Sequence, residues 1–307
     1  MGTNMRQAIK CIGIIFFIYI LTTLDYDLLA KALAKINWLF LALSCLLSLV
    51  AALTKAMRWK LLVNGQAGTI TLFRCYVLTL FLGFVATVTP LRIGELLKLE
   101  HLRNAGLNTA RGAVNIIMDR GMELLVMLLI SFAVVLYNLP LAIGAGLMIA
   151  VLVLAMLLLF FSKGGWRILL DLLPEDKATG IEQLPAEWLK MSWHYYVPAA
   201  LISIMSVVVV QYQIWLIAVG LQANLGFWVF FQAMLIANIV AMVPITIAGL
   251  GTREFILISL LARQGVPAEL AALISILDLV LVCLVFRGAV ALAIWSFKNK
   301  LLTEPTE

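Results

Sequence analysis

Nine ionisable residues lie within or at the ends of long apolar stretches: Arg92, Glu95, Asp119, Arg120, Glu123, Arg253, Glu254, Asp278 and Arg287. An uncompensated charge in hydrocarbon costs at least ~2.5–3.5 kcal/mol on insertion scales, so these groups must pair with one another or face water. Guanidinium matches phosphate bidentately, which suits the arginines to an anionic headgroup. The carboxylates then balance the arginines, hold a cationic part of the headgroup, or carry a coupling proton. The plainer alternative is a set of internal ion pairs that only pin helices together. Asp119 and Glu123, four residues apart, share a helical face with Arg120 at its edge. Such a carboxylate pair leaves a divalent-metal intramembrane transferase as an alternative chemistry.

Other catalytic signatures are missing. There is no phosphate-cradling Gly-x-x-x-x-Gly-Lys-Ser/Thr loop, Gly-x-Ser-x-Gly elbow or His-Glu-x-x-His motif. Cys11, Cys45, Cys75 and Cys283 stand singly in apolar surroundings, and His101 and His194 are the only histidines. No metal site and no cofactor are expected.

The elements that position these charges come in two copies. Phe73 to Thr89 is a mostly apolar arm ending at Pro90, and Phe227 to Val243 is another ending at Pro244. Pro90-Leu91-Arg92-Ile93-Gly94-Glu95 and Gly249-Leu250-Gly251-Thr252-Arg253-Glu254 follow as the tips. Phe73 precedes Pro90 by the interval that separates Phe227 from Pro244. Glu95 precedes Gly106 and Asp119 by the intervals that separate Glu254 from Gly265 and Asp278. The second tip carries a five-residue insertion between Pro and Glu. Pro and Gly break helices, and broken helices at membrane depth occur where they face protein or a water-filled cavity. Pro90, Gly94, Pro244, Gly249 and Gly251 are therefore read as hairpin tips.

The chain has 307 residues, 64% hydrophobic and 12% charged, far more apolar than a soluble domain. Several stretches reach the ~20 residues that cross a bilayer as a helix. The expected fold is an all-α polytopic membrane protein with six full spans and two re-entrant helical hairpins arranged as an inverted repeat. The first half, 1–139, holds spans 1–3 and hairpin 73–101. The second, 140–307, holds spans 4–6, a polar cytoplasmic linker 162–192 and hairpin 227–264. Asp25 to Lys35 reads as a polar loop, and the N-terminal apolar segment as an uncleaved first span. The return arms are too short to cross: Arg92 to His101 covers only ~15 Å as a helix.

The net charge of +6 is distributed by the positive-inside bias and is no nucleic-acid signal. Lys31, Lys35 and Arg263 fall outside, Arg120, Arg253 and Arg287 at membrane depth, and the other basic residues inside. Both termini are then cytoplasmic. Lys55, Arg58, Trp59 and Lys60 read as a cytoplasmic interface.

The first tip, Asp119-Arg120 and the late Pro244…Gly249-Leu250-Gly251…Glu254 tip resemble the lysylphosphatidylglycerol synthase transmembrane-region family. The resemblance covers about Ile36 to Trp295. The second tip departs from the family pattern, with Ile245-Thr246-Ile247-Ala248 where Gly-Gly often follows the Pro. The family includes the flippase half of the multiple peptide resistance factor and domains that work beside polyprenyl-phosphate glycosyltransferases. The resemblance implies a stand-alone lipid flippase of a bacterial inner membrane, without the soluble synthase domain. Its substrate would be an anionic phospholipid, a modified lipid or a polyprenyl-phosphate-linked lipid. A partner lipid-modifying enzyme or glycosyltransferase is implied as well. The alternatives are a lipid-modifying transferase and a non-transporting partner of a glycosyltransferase.

The inverted topology is testable with single cysteines in a cysteine-free background. Cysteines replacing Asn104 and Gln264 should label from opposite sides, cytoplasmic and external. Labelling of both from one side would exclude the inversion.

Overall fold

The computed structural model describes residues 22, 24–89, 94, 97–137, 193–242 and 251–297. Among the described residues every regular element is a helix and none is a strand. The expected first and fourth spans and the linker 162–192 lie outside them, save for Thr22 and Leu24.

Among the described residues, three helical runs are long and apolar enough to cross a membrane: Trp38–Gly65, His194–Gly220 and Ala268–Ile294, with mean hydropathies of 2.1, 2.0 and 2.5. The first is helix α2 (Trp38–Gly65), whose 28 residues extend about 42 Å at 1.5 Å each, past the ~30 Å hydrocarbon core. Its exposed apolar side chains, Leu39, Leu43, Leu46, Val50, Leu53 and Met57, recur every three or four residues. That stripe is the face lipid covers. Ser44, Ser48, Arg58 and Trp59 of the same helix are buried, so its polar atoms point into protein. The chain is a multi-pass membrane protein.

Upstream of α2, Asp25 to Lys35 is not a loop. Tyr26–Ala34 forms α1. Asp25 caps it, its Oδ1 accepting from the backbone N–H of Asp27 at 2.9 Å and of Leu28 at 3.2 Å. Such a cap satisfies donors that a helix start leaves orphaned. Leu29 and Ala32, one helical turn apart, pack on the neighbouring core. A charge-rich segment read as a loop is thus an amphipathic helix.

The remaining elements are α3 (Leu72–Val88), α4 (Lys98–Asn104), α5 (Thr109–Tyr137), α6 (Trp193–Gly220), α7 (Phe227–Met242), α8 (Thr252–Ala262) and α9 (Ala268–Ile276). A π-helical segment, Leu277–Phe286, then leads into α10 (Arg287–Phe297). The expected arms are α3 and α7, and the expected return segments contain α4 and α8. Helix α8 packs on α7 and on α9, and α4 packs on α5.

The two copies agree in their landmarks. Helices α2 and α6 each run 28 residues from a Trp to a Gly. Two residues past each end, Ala67 and Gln222 take left-handed φ values of 61° and 57°. Helices α3 and α7 each start five residues later. Gly106 (φ 88°) and Gly265 (φ 74°) each precede α5 and α9 by three.

By their contacts the residues form two compact units that do not coincide with the sequence halves. One comprises 1–52, 80–95 and 208–298, the other 53–79, 96–207 and 299–307. The core of the first gathers Ile36, Leu41, Ile217, Phe230, Met234 and Ile274, among others. The backbone N–H of Asn37 donates to Gly220 O at 2.8 Å there, tying the α1–α2 turn to the end of α6. In the second, Leu62, Val114, Met118 and Ala199 form a core. The turn before α3 joins the turn after α4 through Thr69 N–H to Ala105 O at 3.0 Å.

Gly94 shows why the first tip needs a glycine. A Cβ there would lie 2.5 Å from Ala86 N and 2.8 Å from Val85 C. Its N–H donates to Thr89 Oγ1 at 3.2 Å, and that hydroxyl donates to Val85 O at 2.8 Å. Gly94 is thus hydrogen-bonded onto the end of α3 at a separation only glycine permits. Gly94→Ala should lower stability by about 1–3 kcal/mol through overpacking. Gly226→Ala, with nothing within 4 Å, should change it by at most about 0.5 kcal/mol. Thermal unfolding in one detergent distinguishes the two.

Candidate functional site

Two polar clusters are built into the helices, one in each compact unit. The first starts from α5, where Asn115, Asp119 and Glu123 are four residues apart and so line one face. On α2, Lys55, Arg58, Trp59, Leu62 and Gln66 follow the same helical spacing. Arg58 Nε donates to Asp119 Oδ1 at 2.8 Å, and its Nη2 lies 2.8 Å from the same oxygen as an ion pair. Lys98 Nζ of α4 donates to Asp119 Oδ2 at 2.9 Å. Lys55 Nζ donates to Glu123 Oε1 at 2.8 Å. Glu123 Oε2 takes Arg120 Nη1 at 3.1 Å and Arg58 Nη2 at 3.4 Å.

Neutral groups finish the cluster. Trp59 Nε1 donates to Asn115 Oδ1 at 2.9 Å, and Asn115 Nδ2 donates to Gln66 Oε1 at 3.1 Å. Lys98 Nζ lies 4.8 Å from the centre of the Trp59 ring, a cation–π distance. The Arg58 side chain is 1% exposed, yet its Nη1 has no hydrogen-bond partner among the described residues. A buried orphan donor is costly. Among the described residues, four cations contact these two carboxylates. All four carboxylate oxygens already accept from cations, so a divalent metal at Asp119 and Glu123 would have to displace them.

The second cluster starts from Gly251, whose φ of 85° suits glycine. Its N–H donates to Glu254 Oε2 at 2.6 Å, closing the start of α8. Ser275 Oγ donates to Glu254 Oε1 at 2.5 Å. Arg253 is spent on three acceptors: Ser275 O at 2.7 Å, Asp278 Oδ2 at 3.3 Å and Glu254 Oε1 at 3.4 Å. Gln213 Nε2 of α6 donates to Asp278 Oδ1 at 3.2 Å and to Ser44 Oγ at 2.8 Å. Asp278 sits in the π-helical segment, a geometry frequent at functional sites. One cation serves two carboxylates here among these residues.

The clusters share a plan. Arg58 and Gln213 each stand twenty residues into α2 and α6, and Asp119 and Asp278 each ten residues past the starts of α5 and α9. Both pairs are in contact. The aspartate is kept in both copies, and its partner changes from guanidinium to amide.

Of the expected residues, the structure brings Asp119, Arg120 and Glu123 together, and Arg253, Glu254 and Asp278 together with Gly251. Arg287 contacts Cys283 Sγ, with its Nη1 at 4.0 Å, and its Nε is without a hydrogen-bond partner among the described residues. Pro90, Arg92, Glu95, Pro244 and Gly249 lie outside the described residues. Sequence reasoning missed Lys55, Arg58 and Lys98 as partners of Asp119 and Glu123. The signal was present as a polar face at helical spacing on α2, but it was read only as an interface marker. Gln213 also went unnoticed, although an amide is conspicuous in so apolar a helix.

The sequence matches the family model described as "Lysylphosphatidylglycerol synthase TM region" over residues 7–286. No curated protein and no solved structure matches the chain.

Asp119→Asn removes the charge that compensates Arg58 and Lys98. It should cost about 3–5 kcal/mol of stability, as breaking a buried pair does. Adding Arg58→Gln should recover part of that loss, because it removes the buried guanidinium left without its counter-charge. A double-mutant cycle on melting temperature measures the coupling. Additive losses would show that the two residues do not act as a pair.

Proposed function

The chain belongs to the lysylphosphatidylglycerol synthase transmembrane-region family, and on that premise we propose that it is a lipid translocase. It moves an anionic phospholipid, a modified lipid or a polyprenyl-phosphate-linked lipid across a bacterial inner membrane. Both termini are cytoplasmic, and two inverted halves, 1–139 and 140–307, present their hairpin tips to the headgroup while the acyl chains stay in the bilayer. A lipid-modifying enzyme or glycosyltransferase supplies or consumes the lipid.

The observation that carries this reading is the group of cations, Lys55, Arg58, Lys98 and Arg120, gathered around the buried carboxylates Asp119 and Glu123. Clustered cations partly withdrawn from water suit an anionic headgroup. Lys55 and Arg120 are partly exposed at 27% and 32% of their side chains, which leaves a route in from the surface. The matched landmarks of the two copies support the repeat, and repeats with broken helices near the midplane recur among transporters. In the other unit, Arg92 and Arg253, with Glu95, Glu254, Asp278 and Arg287, are this reading's further headgroup contacts.

Proteoliposomes holding a fluorescent anionic phospholipid test this. The wild-type chain should expose the probe to an external quencher faster than protein-free vesicles do. Arg92→Ala and Arg253→Ala should each abolish the acceleration; because Arg253→Ala also uncovers the buried carboxylates Glu254 and Asp278, its melting temperature is read beside that of the charge-keeping Arg253→Lys. Arg253→Lys should restore it only in part, because a single ammonium cannot reproduce the guanidinium fork across Glu254, Asp278 and Ser275. Full translocation by both alanine variants would eliminate the tips from the headgroup site.

A further inference from the structure

Two arginines of the second unit lie at membrane depth among the described residues, and they differ in what already holds them. Arg253 is engaged by Ser275 O at 2.7 Å, Asp278 Oδ2 at 3.3 Å and Glu254 Oε1 at 3.4 Å. Arg287 has only a thiol. Its Nη1 lies 4.0 Å from Cys283 Sγ, an uncharged and weak acceptor. Its Nε is buried without a hydrogen-bond partner among the described residues. Its Nη2 lies over Gly83 of α3, where an added Cβ would sit 3.5 Å from it. Beside it, Gly288 is so close to α3 that an added Cβ would meet the Phe84 ring at 2.7 Å. Arg287 falls within the run Ala268–Ile294, about 10 Å along the helix from its end at 1.5 Å per residue. A guanidinium at that depth needs an anion, and none comes from the described residues.

The backbone turns Arg287 toward the second cluster. Asp278 and Arg287 are nine residues apart. In an α-helix that separation is about two and a half turns, which sets the two on opposite faces. The stretch Leu277–Phe286 is π-helical instead. With i→i+5 bonds and about 4.4 residues per turn, it closes about two turns over the same separation and brings both residues to one face. Cys283, between them, is within electrostatic reach of Asp278, Arg287 and Arg253. The rise from Asp278 to Arg287 is at most about 14 Å. A phosphate diester is a monoanion whose two unesterified oxygens match the guanidinium fork. We propose that Arg287, lying over Gly83, binds the phosphate diester of a lipid from the leaflet at the Phe297 end of α10. It is the entry station of a headgroup route that runs along the π-helical face to Arg253 and Asp278. The route rests on the translocase reading, and the phosphate site does not.

The test uses the purified full chain in a neutral detergent, titrated with phosphatidylglycerol, with diacylglycerol of identical acyl chains, and with inorganic phosphate. Phosphatidylglycerol should bind and raise the melting temperature of the wild-type chain, and diacylglycerol should do neither. Arg287→Gln should weaken phosphatidylglycerol by about tenfold, as one lost charge contact would. Arg287→Lys should keep part of the affinity, because it retains the charge and loses the fork. Gly83→Val, whose side chain crowds Nη2, should weaken the lipid with Arg287 still in place. The lipid-free melting temperature of Arg287→Gln should not fall, because an uncompensated charge has been removed. A fall would show that the protein itself neutralises Arg287 and overturns the proposal. Equal phosphatidylglycerol affinity in the wild-type and Arg287→Gln chains, or equal affinity for the two lipids, overturns it as well. Inorganic phosphate binding as tightly as phosphatidylglycerol overturns the lipid-borne assignment. In phosphatidylcholine proteoliposomes holding a fluorescent phosphatidylglycerol, movement by Arg287→Gln at the wild-type rate refutes the entry station and leaves the translocase reading intact. A wild-type chain that binds the lipid through Arg287 and moves none refutes the translocase reading and leaves the phosphate site.

Discussion

The pairing of Arg58 with Asp119 is the constraint from which the described polar architecture follows. A guanidinium 1% exposed within an apolar helix is tolerable only when its charge is met nearby. Meeting it brings α2 and α5 together at one register, and the second oxygen of Asp119 draws in Lys98 from α4. Glu123, one turn further along α5, then gathers the cations that Asp119 cannot serve. Trp59, Asn115 and Gln66 close the remaining donors and acceptors. The result is a cluster with its more exposed cations, Lys55 and Arg120, at the Glu123 end.

The second copy shows how much of that plan is scaffold and how much is chemistry. Asp278 keeps the position of Asp119 and still contacts the helix equivalent to α2, but through Gln213. The compensating cation comes instead from Arg253 at the start of α8. The same helix pair therefore holds a cation-rich site in one copy and a carboxylate-rich one in the other. An aspartate buried at a helix contact is the shared element, and each copy neutralises it with a different residue. The π-helical turns around Asp278 alter the register of the last helical run where the second site is assembled.

Outside these clusters the helices meet by close packing. Lipid tails are as apolar as leucine, so helix association in a membrane relies on small residues that let backbones approach. A Cβ at Gly288 would lie 2.7 Å from the Phe84 ring, and one at Gly112 would lie 2.6 Å from Leu99. The outward stripe of α2, with Leu46 58% exposed, needs no protein partner because lipid supplies one. Apolar residues thus face outward, and charged ones are drawn inward.

Hydrophobic length and helix-breaking residues placed several of the described helices from the sequence. The arm expected from Phe227 begins there, and the return segment expected from Thr252 begins there too. The matched spacings of the two stretches stand out because Pro, Gly, Glu and Asp are scarce in apolar segments, so their intervals carry information. The Asp25–Lys35 segment was misread because charge alone does not distinguish a loop from a capped amphipathic helix. Which charges pair was a tertiary decision. Arg58 and Asp119 are 61 residues apart, and Gln213 and Ser44 are 169 apart. Periodicity within one helix reports the face a residue occupies, never the helix that will face it. In a medium where each buried charge must find a partner, only the packing of helices decides which residue that partner is.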